Sequence, residues 1–251
     1  MTITSISLAT VCAARCCKQR SRISARLCVG IMIDNLGTRV VLPINQKVLR
    51  ISVKYCGKMG NTASMKCLYI DLASKEGIVA CVTDTVAASQ DMSNKISDGE
   101  LIPIVEGVIK EAGWKLSDLT HITCAVGPGG FTSLRVSVTF ANVLADQLGI
   151  PSAGVHLSEV YTKRTEEDAY WMHSTKKDQL FVCGGQWEEP TLITVNEIPC
   201  GNWMGELLED HEKASGAEQV ALTPINDVLP GIVESAQYSK EILHPWYGRG
   251  W

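Results

Sequence analysis

The segment Val126-Gly127-Pro128-Gly129-Gly130-Phe131-Thr132-Ser133-Leu134-Arg135 decides how this chain folds. The apolar run 122–126 at its start predicts a buried, central β-strand, because a strand covered on both faces lacks polar alternation. A helix of about fifteen residues is predicted to follow, with Thr132 or Ser133 as its N-cap. The segment therefore predicts a strand, a glycine-rich turn and a helix in immediate succession.

The glycine-rich turn has two interpretations. Backbone N–H groups at the start of a helix can bind phosphate, or the turn can simply aim the helix at the sheet or at a partner. The turn lacks the Gly-Lys-Ser/Thr of a P-loop and the GxGxxG pattern of dinucleotide-binding proteins. These differences favour the purely structural turn.

The flanking sequence extends this unit into a two-lobed α/β protein. Upstream, the runs 67–70 and 78–82 predict a hairpin that turns at Gly77. The apolar spacing of Leu101, Ile104, Val105, Val108 and Ile109 predicts an amphipathic helix over 99–112. Downstream, the patterns predict strands over 152–155, 179–183, 191–195 and 220–222, and helices over 157–164 and 203–210.

The charge of the chain divides it into two parts. Residues 1–64 contain ten Lys/Arg and one acid, whereas residues 65–251 contain 13 basic and 26 acidic residues. We interpret 1–64 as a basic, disordered leader. Its origin stays open between a start assigned too early, a targeting segment and a nucleic-acid-binding arm. The remainder is predicted to form an N-terminal lobe over 65–160 and a smaller second lobe over 161–251.

Cysteine spacing and hydropathy indicate the compartment. The ten cysteines form no CxxC pair of the kind that binds zinc. Cys67, Cys81 and Cys124 fall inside strand-like runs, where a free cysteine behaves as a small hydrophobic residue. No apolar run approaches the roughly 20 residues of a membrane-spanning helix. We therefore expect a cytoplasmic protein without membrane contact.

Candidate catalytic residues are few. Asp71 ends the first strand, where actin-like ATPases carry a catalytic acid, but Leu72 follows it where close approach to phosphate would require glycine. A capping role for Asp71 is the simpler interpretation. The five histidines are isolated and form no HxxxH pair, so the sequence predicts no metal site.

Several motifs, in order, resemble the TsaB family of tRNA threonylcarbamoyladenosine biosynthesis proteins. The segment 126–135 is similar to the GPGSFTGLR signature of that family, and 69–74 to its opening strand IDTAT. The segments 100–113 and 148–155 resemble its first helix and its LGIPxxGV connection. Weaker similarity is found at 177–182 and 245–249.

This resemblance implies an actin-like (RNase H-like) fold, here with a trimmed second lobe. It also implies a non-catalytic scaffold subunit without a cofactor of its own. Such a subunit pairs with the homologous catalytic subunit TsaD and supports the ATPase subunit TsaE. The complex, at which ATP can act, adds threonylcarbamoyl to the adenosine beside the anticodon, so tRNA is contacted only through the complex. A homodimer is left open when the partner is absent.

In the TsaB family the two helices of the N-terminal lobe form the dimer interface. On this chain the resemblance assigns the interface to seven residues: Leu101, Ile104, Val108, Ile109, Ser137, Ala141 and Ala145. Replacement of Ala141 by Trp is then expected to block the heterodimer without unfolding the chain.

The family-motif loop comprises Gly127, Pro128, Gly129, Gly130, Phe131, Thr132 and Arg135. The alternative function is an actin-like ATPase or kinase that uses Asp71 and this loop. Leu72 argues against that alternative. A metal-dependent peptidase would need a metal site that the sequence does not predict.

Overall fold

The computed structural model describes residues 32–33, 39–44, 47–52, 65–92 and 100–248. Residues 1–61 and 62–251 form two separate units. In the first unit, the backbones of β1 (Met32–Ile33), β2 (Arg39–Ile44) and β3 (Lys47–Ser52) form an antiparallel sheet. The rest of the leader and the segment 93–99 lie outside the described residues, so the interpretation of 1–64 stays a prediction.

The second unit begins with a five-stranded sheet. Its strands are β4 (Cys67–Asp71), β5 (Ile78–Val82), β6 (Val86–Asp91), β7 (His121–Gly127) and β8 (Ser152–His156), in the order β6-β5-β4-β7-β8. Strands β4, β7 and β8 run parallel, and β5 is antiparallel to both of its neighbours. Every residue of β4 and β5 is buried, which explains their unbroken apolar sequences. The predicted hairpin and the predicted strand 122–126 are thus confirmed.

Two helices cover one face of this sheet. The helix α1 (Leu101–Glu111) lies over β5 and β6, and α2 (Phe131–Leu148) lies mainly over β7. The predicted N-cap of α2 is wrong, because the helix begins at Phe131 and Gly130 caps it without a side-chain hydrogen bond. Thr132 and Ser133 therefore lie inside the first turn. Gly149 ends α2 in the left-handed conformation, with φ of 66°, as its position predicts.

A short helix and a second sheet follow. The helix α3 (Leu157–Thr162) leads into β9 (Tyr170–Lys176), β10 (Gln179–Gly184), β11 (Trp187–Thr194) and β12 (Trp203–Glu206), ordered β11-β10-β9-β12. The helix predicted over 203–210 is wrong in its first half, because 203–206 is a fully buried strand parallel to β9. The helix α4 (Glu209–Ser215) starts only after it. The segment 220–222 lies outside the strands, and a single bridge joins Trp203 to the neighbouring Gln219.

The C-terminal segment returns to the five-stranded sheet. The helix α5 (Ile225–Ser235) packs on β5 and β6, on the face opposite α1 and α2. Ser239 forms an isolated bridge with Ser152, and the Trp246 N–H donates to the Val126 carbonyl at 2.7 Å. The last part of the predicted second lobe therefore completes the core of the first.

The glycine-rich loop is held between two other segments of the chain. A Cβ at Gly129 would lie 2.7 Å from the Ala73 carbonyl oxygen and 2.8 Å from the Ala73 Cα. Gly127 has φ of +127°, and a Cβ there would lie 2.5 Å from the Trp246 carbonyl oxygen. These contacts require glycine because the neighbouring groups are backbone and cannot move aside. The loop is thus a tight turn, as the sequence favoured.

Two adjacent glycines provide a matched test of this packing. We expect Gly129→Ala to lower the free energy of unfolding by about 2 kcal/mol or more, because its methyl group would clash with the Ala73 backbone. Gly130→Ala should cost less than about 1 kcal/mol, because the nearest atom to its Cβ is the Ser133 Oγ at 3.5 Å. Urea unfolding of both variants measures the difference. Equal destabilisation would show that the close approach at Gly129 is not structural.

Thiol accessibility tests the assignment of the core. Burial raises the pKa of Cys67 to about 11 and that of Cys124 to about 12, whereas Cys200 is exposed. We expect iodoacetamide to label Cys200 in the native chain and to reach Cys67 and Cys124 only after denaturation. Peptide mass spectrometry separates these sites from the leader cysteines. Labelling of Cys124 as fast as Cys200 would contradict the position of β7 in the sheet.

Candidate functional site

Asp71 is fully engaged in shaping the turn after β4. Its Oδ1 accepts from the backbone N–H groups of Ala73 and Ser74, at 2.8 and 3.1 Å. Its Oδ2 accepts from the Ser74 hydroxyl at 2.7 Å. Burial raises the pKa of Asp71, and these hydrogen bonds oppose that shift. The carboxylate therefore acts as a capping group.

The exposed part of the family-motif loop is an aromatic and cationic cluster. The Arg135 guanidinium lies 3.9 Å from the ring centroid of Phe131, whose side chain is largely exposed. The Arg135 Nε–H donates to the Tyr247 hydroxyl at 3.3 Å, and the Phe131 and Tyr247 rings are 5.2 Å apart. Thr132 is exposed beside them, whereas Gly127 and Pro128 are buried. The motif thus combines a buried turn with a surface that C-terminal residues complete.

The predicted partner-interface residues do not form a surface. Six of the seven, all except Ile104, are buried within this chain: Leu101, Val108, Ile109, Ser137, Ala141 and Ala145. Ala141 has no exposed surface. Apart from Ser137, these side chains belong to the core between the two helices and the five-stranded sheet. The small residues of α2 therefore let the helix approach the sheet closely. Trp at Ala141 would overpack this core, so the expectation that it spares the fold is corrected.

Other apolar residues of the same two helices are exposed. Ile102 of α1 and Val143 of α2 are each 56 % exposed. Four further apolar side chains of these helices are partly buried and rest on the core: Ile104, Val136, Phe140 and Leu144. The exposed apolar residues of these helices therefore differ from those that the resemblance assigned to the interface, and the interface itself stays a prediction.

A cleft of about 860 Å³ separates the two sheets of the second unit. One wall consists of the turn 72–75 and the loop 128–133, and the opposite wall of β9 residues 173–175. Phe181 and the C-terminal residues Trp246 and Tyr247 add aromatic rings, and Glu206 lies on the lining as well. The family-motif loop therefore borders this cleft.

Glu206 connects the two sides of the cleft. Its Oε1 accepts from the Lys75 backbone N–H at 2.7 Å and from the Tyr161 hydroxyl at 2.9 Å. Its Oε2 lies 3.9 Å from the Nδ1 of His173. Burial raises the pKa of Glu206 and lowers that of His173 to about 4, so His173 is neutral near pH 7.

Neither of these two residues was predicted from the sequence to belong to a site. Glu206 fell inside the wrongly predicted helix, and His173 was one of five isolated histidines. A usable signal was present, because 203–206 resembles 67–71: both are short buried strands that end in an acid.

Residues 65–92 and 100–248 contain neither a metal-binding cluster nor a membrane-spanning helix. Within those ranges, no three His, Cys, Asp or Glu side chains converge in a way that would hold a metal ion. No helix there is both long enough and apolar enough to cross a bilayer.

Comparisons of sequence find related proteins for part of the chain. The family model for TsaD, tRNA N6-adenosine threonylcarbamoyltransferase, matches residues 91–186. The tRNA threonylcarbamoyladenosine biosynthesis protein TsaB of Escherichia coli (strain K12) is 30 % identical over 92 residues, which are 36 % of this chain and 40 % of the relative. A tRNA N6-adenosine threonylcarbamoyltransferase of Chromobacterium violaceum is 46 % identical over 55 residues, which are 22 % of this chain and 16 % of that protein. The matched region thus spans less than half of these relatives.

Comparisons of structure cover more of the chain. A Pseudomonas aeruginosa protein described as similar to the peptidase YEAZ superposes with a TM-score of 0.59 at 19 % identity, over 74 % of this chain and all of that one. The YeaZ structure from the same species gives a TM-score of 0.55 at 17 % identity, over 72 % of this chain and 99 % of that one. These likenesses confirm the predicted actin-like (RNase H-like) fold. By motif, sequence and fold together, the chain is similar to TsaB proteins.

Proposed function

We propose that this chain is the non-catalytic scaffold subunit of a complex that adds threonylcarbamoyl to the adenosine beside the anticodon of tRNA. The observation that carries the proposal is the exposure of Ile102 on α1 and of Val143 on α2. When a partner covers a large apolar side chain that is more than half exposed, apolar surface is removed from water and the complex is stabilised. Similar proteins are named for threonylcarbamoyladenosine biosynthesis and for threonylcarbamoyl transfer to tRNA adenosine, which supports a partner from that process.

The contacts of the family-motif loop and of Asp71 support a scaffold function rather than an ATPase or kinase activity. Both Asp71 oxygens accept hydrogen bonds from the chain's own turn, and Gly129 contacts the Ala73 backbone rather than open space. A catalytic carboxylate needs an oxygen that can reach the reacting group or its metal. These contacts leave the loop and Asp71 suited to holding the fold together.

The partner in this proposal is the catalytic homologue TsaD, with TsaE joining the complex. Homologous partners of similar fold can pair through equivalent helical faces, which an apolar surface on both sides would stabilise. The tRNA would be contacted through the complex, because residues 65–251 contain twice as many acids as bases.

Charge substitution at Ile102 and Val143 tests this proposal. We expect Val143→Asp and Ile102→Asp each to weaken binding to the TsaD of the source organism by about 30-fold or more, because a buried, unpaired carboxylate is costly at an interface. Leu208→Asp is the matched control, since Leu208 is 44 % exposed in the second lobe. Calorimetric titration of each full-length variant measures the affinity.

The three possible outcomes have different meanings for the interface and for the function. Loss of binding in both helix variants, with an unchanged melting temperature and an unaffected Leu208→Asp, supports the interface. Binding that all three variants retain would place the partner elsewhere. A wild-type chain that does not bind TsaD at all would refute the scaffold function.

A further inference from the structure

The C-terminal strap (residues 239–247) lies along one side of α2. Ser239 exchanges two backbone hydrogen bonds with Ser152 of β8, at 2.9 and 3.0 Å. The Asn142 side chain binds both backbone groups of Leu243, donating to its carbonyl and accepting from its N–H, each at 2.9 Å. Because β8 is the edge strand of its sheet and α1 lies over β5 and β6, the strap and α1 flank α2 on opposite sides.

The strap reaches the first turns of α2, where it meets Arg135. The Arg135 Nε–H donates to the Tyr247 hydroxyl at 3.3 Å. The Arg135 guanidinium lies 3.9 Å from the ring centroid of Phe131, within the range of a cation–π interaction. An arginine that is already held by a ring and a hydrogen bond loses less conformational entropy when it binds a partner.

The held Arg135 is a cation without an acidic partner. Its side chain is exposed, and none of the ion pairs within residues 65–92 and 100–248 includes it. Its Nε–H is the group that bonds to Tyr247, so the Nη groups can donate to an acceptor from another molecule. The guanidinium is therefore aligned but not neutralised.

The position of Arg135 joins it to the exposed residue of α2 that the proposed function uses. Arg135, Thr139 and Val143 follow one another at intervals of four residues, and all three are exposed. Such spacing places them along one side of a helix. Eight residues of helix span about 12 Å, which is well within the width of a standard protein interface. A partner that covers Val143 can therefore reach Arg135.

The chemistry of this position favours a carboxylate. The two Nη groups of a planar guanidinium can donate parallel hydrogen bonds to the two oxygens of a carboxylate. An RNA phosphate has similar oxygens, but residues 65–251 contain 26 acidic and 13 basic residues, which disfavours a polyanion. The ring of Phe131, 54 % exposed, adds apolar contact area beside the charge. Aromatic residues and arginine are enriched at protein interfaces.

We propose that Arg135, aligned by Phe131 and Tyr247, is a second anchor of the partner interface and binds a carboxylate side chain of TsaD. The C-terminal strap is part of this anchor, because it supplies Tyr247. The anchor rests on the proposed scaffold function, and it adds a charged contact to the apolar contact at Val143.

Substitution of Arg135 tests the anchor by calorimetric titration of the full-length chain with TsaD. We expect Arg135→Ala to weaken binding by about 30-fold or more, because the TsaD carboxylate loses its partner. Arg135→Lys should weaken it by about fivefold or more, since an ammonium lacks the planar fork. Lys177→Ala removes an exposed cation from the turn between β9 and β10 and should bind like the wild type. The wild-type affinity should also fall more steeply with added NaCl than that of Arg135→Ala.

Tyr247→Phe tests the positioning role of the strap. This variant keeps the ring beside Phe131 and removes the hydroxyl that accepts from Arg135. We expect an affinity loss of about threefold in the wild-type background and no further loss in Arg135→Ala, because the hydroxyl acts through Arg135. An equal loss in both backgrounds would show that Tyr247 does not act through Arg135.

The remaining outcomes separate the anchor from the function. If Val143→Asp loses TsaD and Arg135→Ala retains it, the anchor is refuted and the scaffold function stands. Equal binding by Arg135→Lys and the wild type would refute recognition by the guanidinium fork. A loss of tRNA from the complex with unchanged TsaD affinity in Arg135→Ala would assign the contact to RNA and overturn the proposal. A wild-type chain that does not bind TsaD would refute both proposals.

Discussion

The contact between Gly129 and the backbone of Ala73 is the constraint on which the arrangement of the second unit depends. It holds the loop after β7 against the turn after β4, and it is possible only because Gly129 has no side chain. Gly127 allows a similar approach by the Trp246 carbonyl. Three segments far apart in sequence therefore meet at one point, and their meeting fixes where α2 begins and which side chains it turns toward the sheet.

The consequence for α2 explains why its surface could not be read correctly from sequence. Small residues at Ser137, Ala141 and Ala145 permit a close neighbour, but the pattern does not say which neighbour it is. In this chain the neighbour is the five-stranded sheet, since α2 lies over its strand β7. The large apolar residues left exposed are Phe131 and Val143 on α2 and Ile102 on α1. A helical period identifies a face, whereas tertiary packing decides which face becomes the surface.

Elements with unbroken apolar runs or clear helical periods were predictable, and those with mixed patterns were not. β4, β5 and β7 are buried almost throughout, so their sequences are apolar from end to end. β6 was missed because it is a half-exposed edge strand with polar residues. β12 was mistaken for a helix because all four of its residues are buried, which removes the alternation that marks a strand. α5 was missed because Pro230 lies inside it.

Glu206 ends the wrongly predicted β12, and it also belongs to the least predictable part of the candidate site. Because β12 pairs in parallel with β9, its last residue lies directly opposite His173. The same carboxylate accepts from Lys75, in the turn after β4, and from Tyr161 of α3, so one side chain ties the turn after β4 to β12. These two donors occupy only one oxygen, and the other faces a histidine that is too far away to bond. The cleft is therefore held together by the chain's own hydrogen bonds, while the buried His173 Nδ1 has no hydrogen-bond partner among the described residues. No local pattern reveals that combination, because its members come from four separate elements and meet only when both sheets have formed.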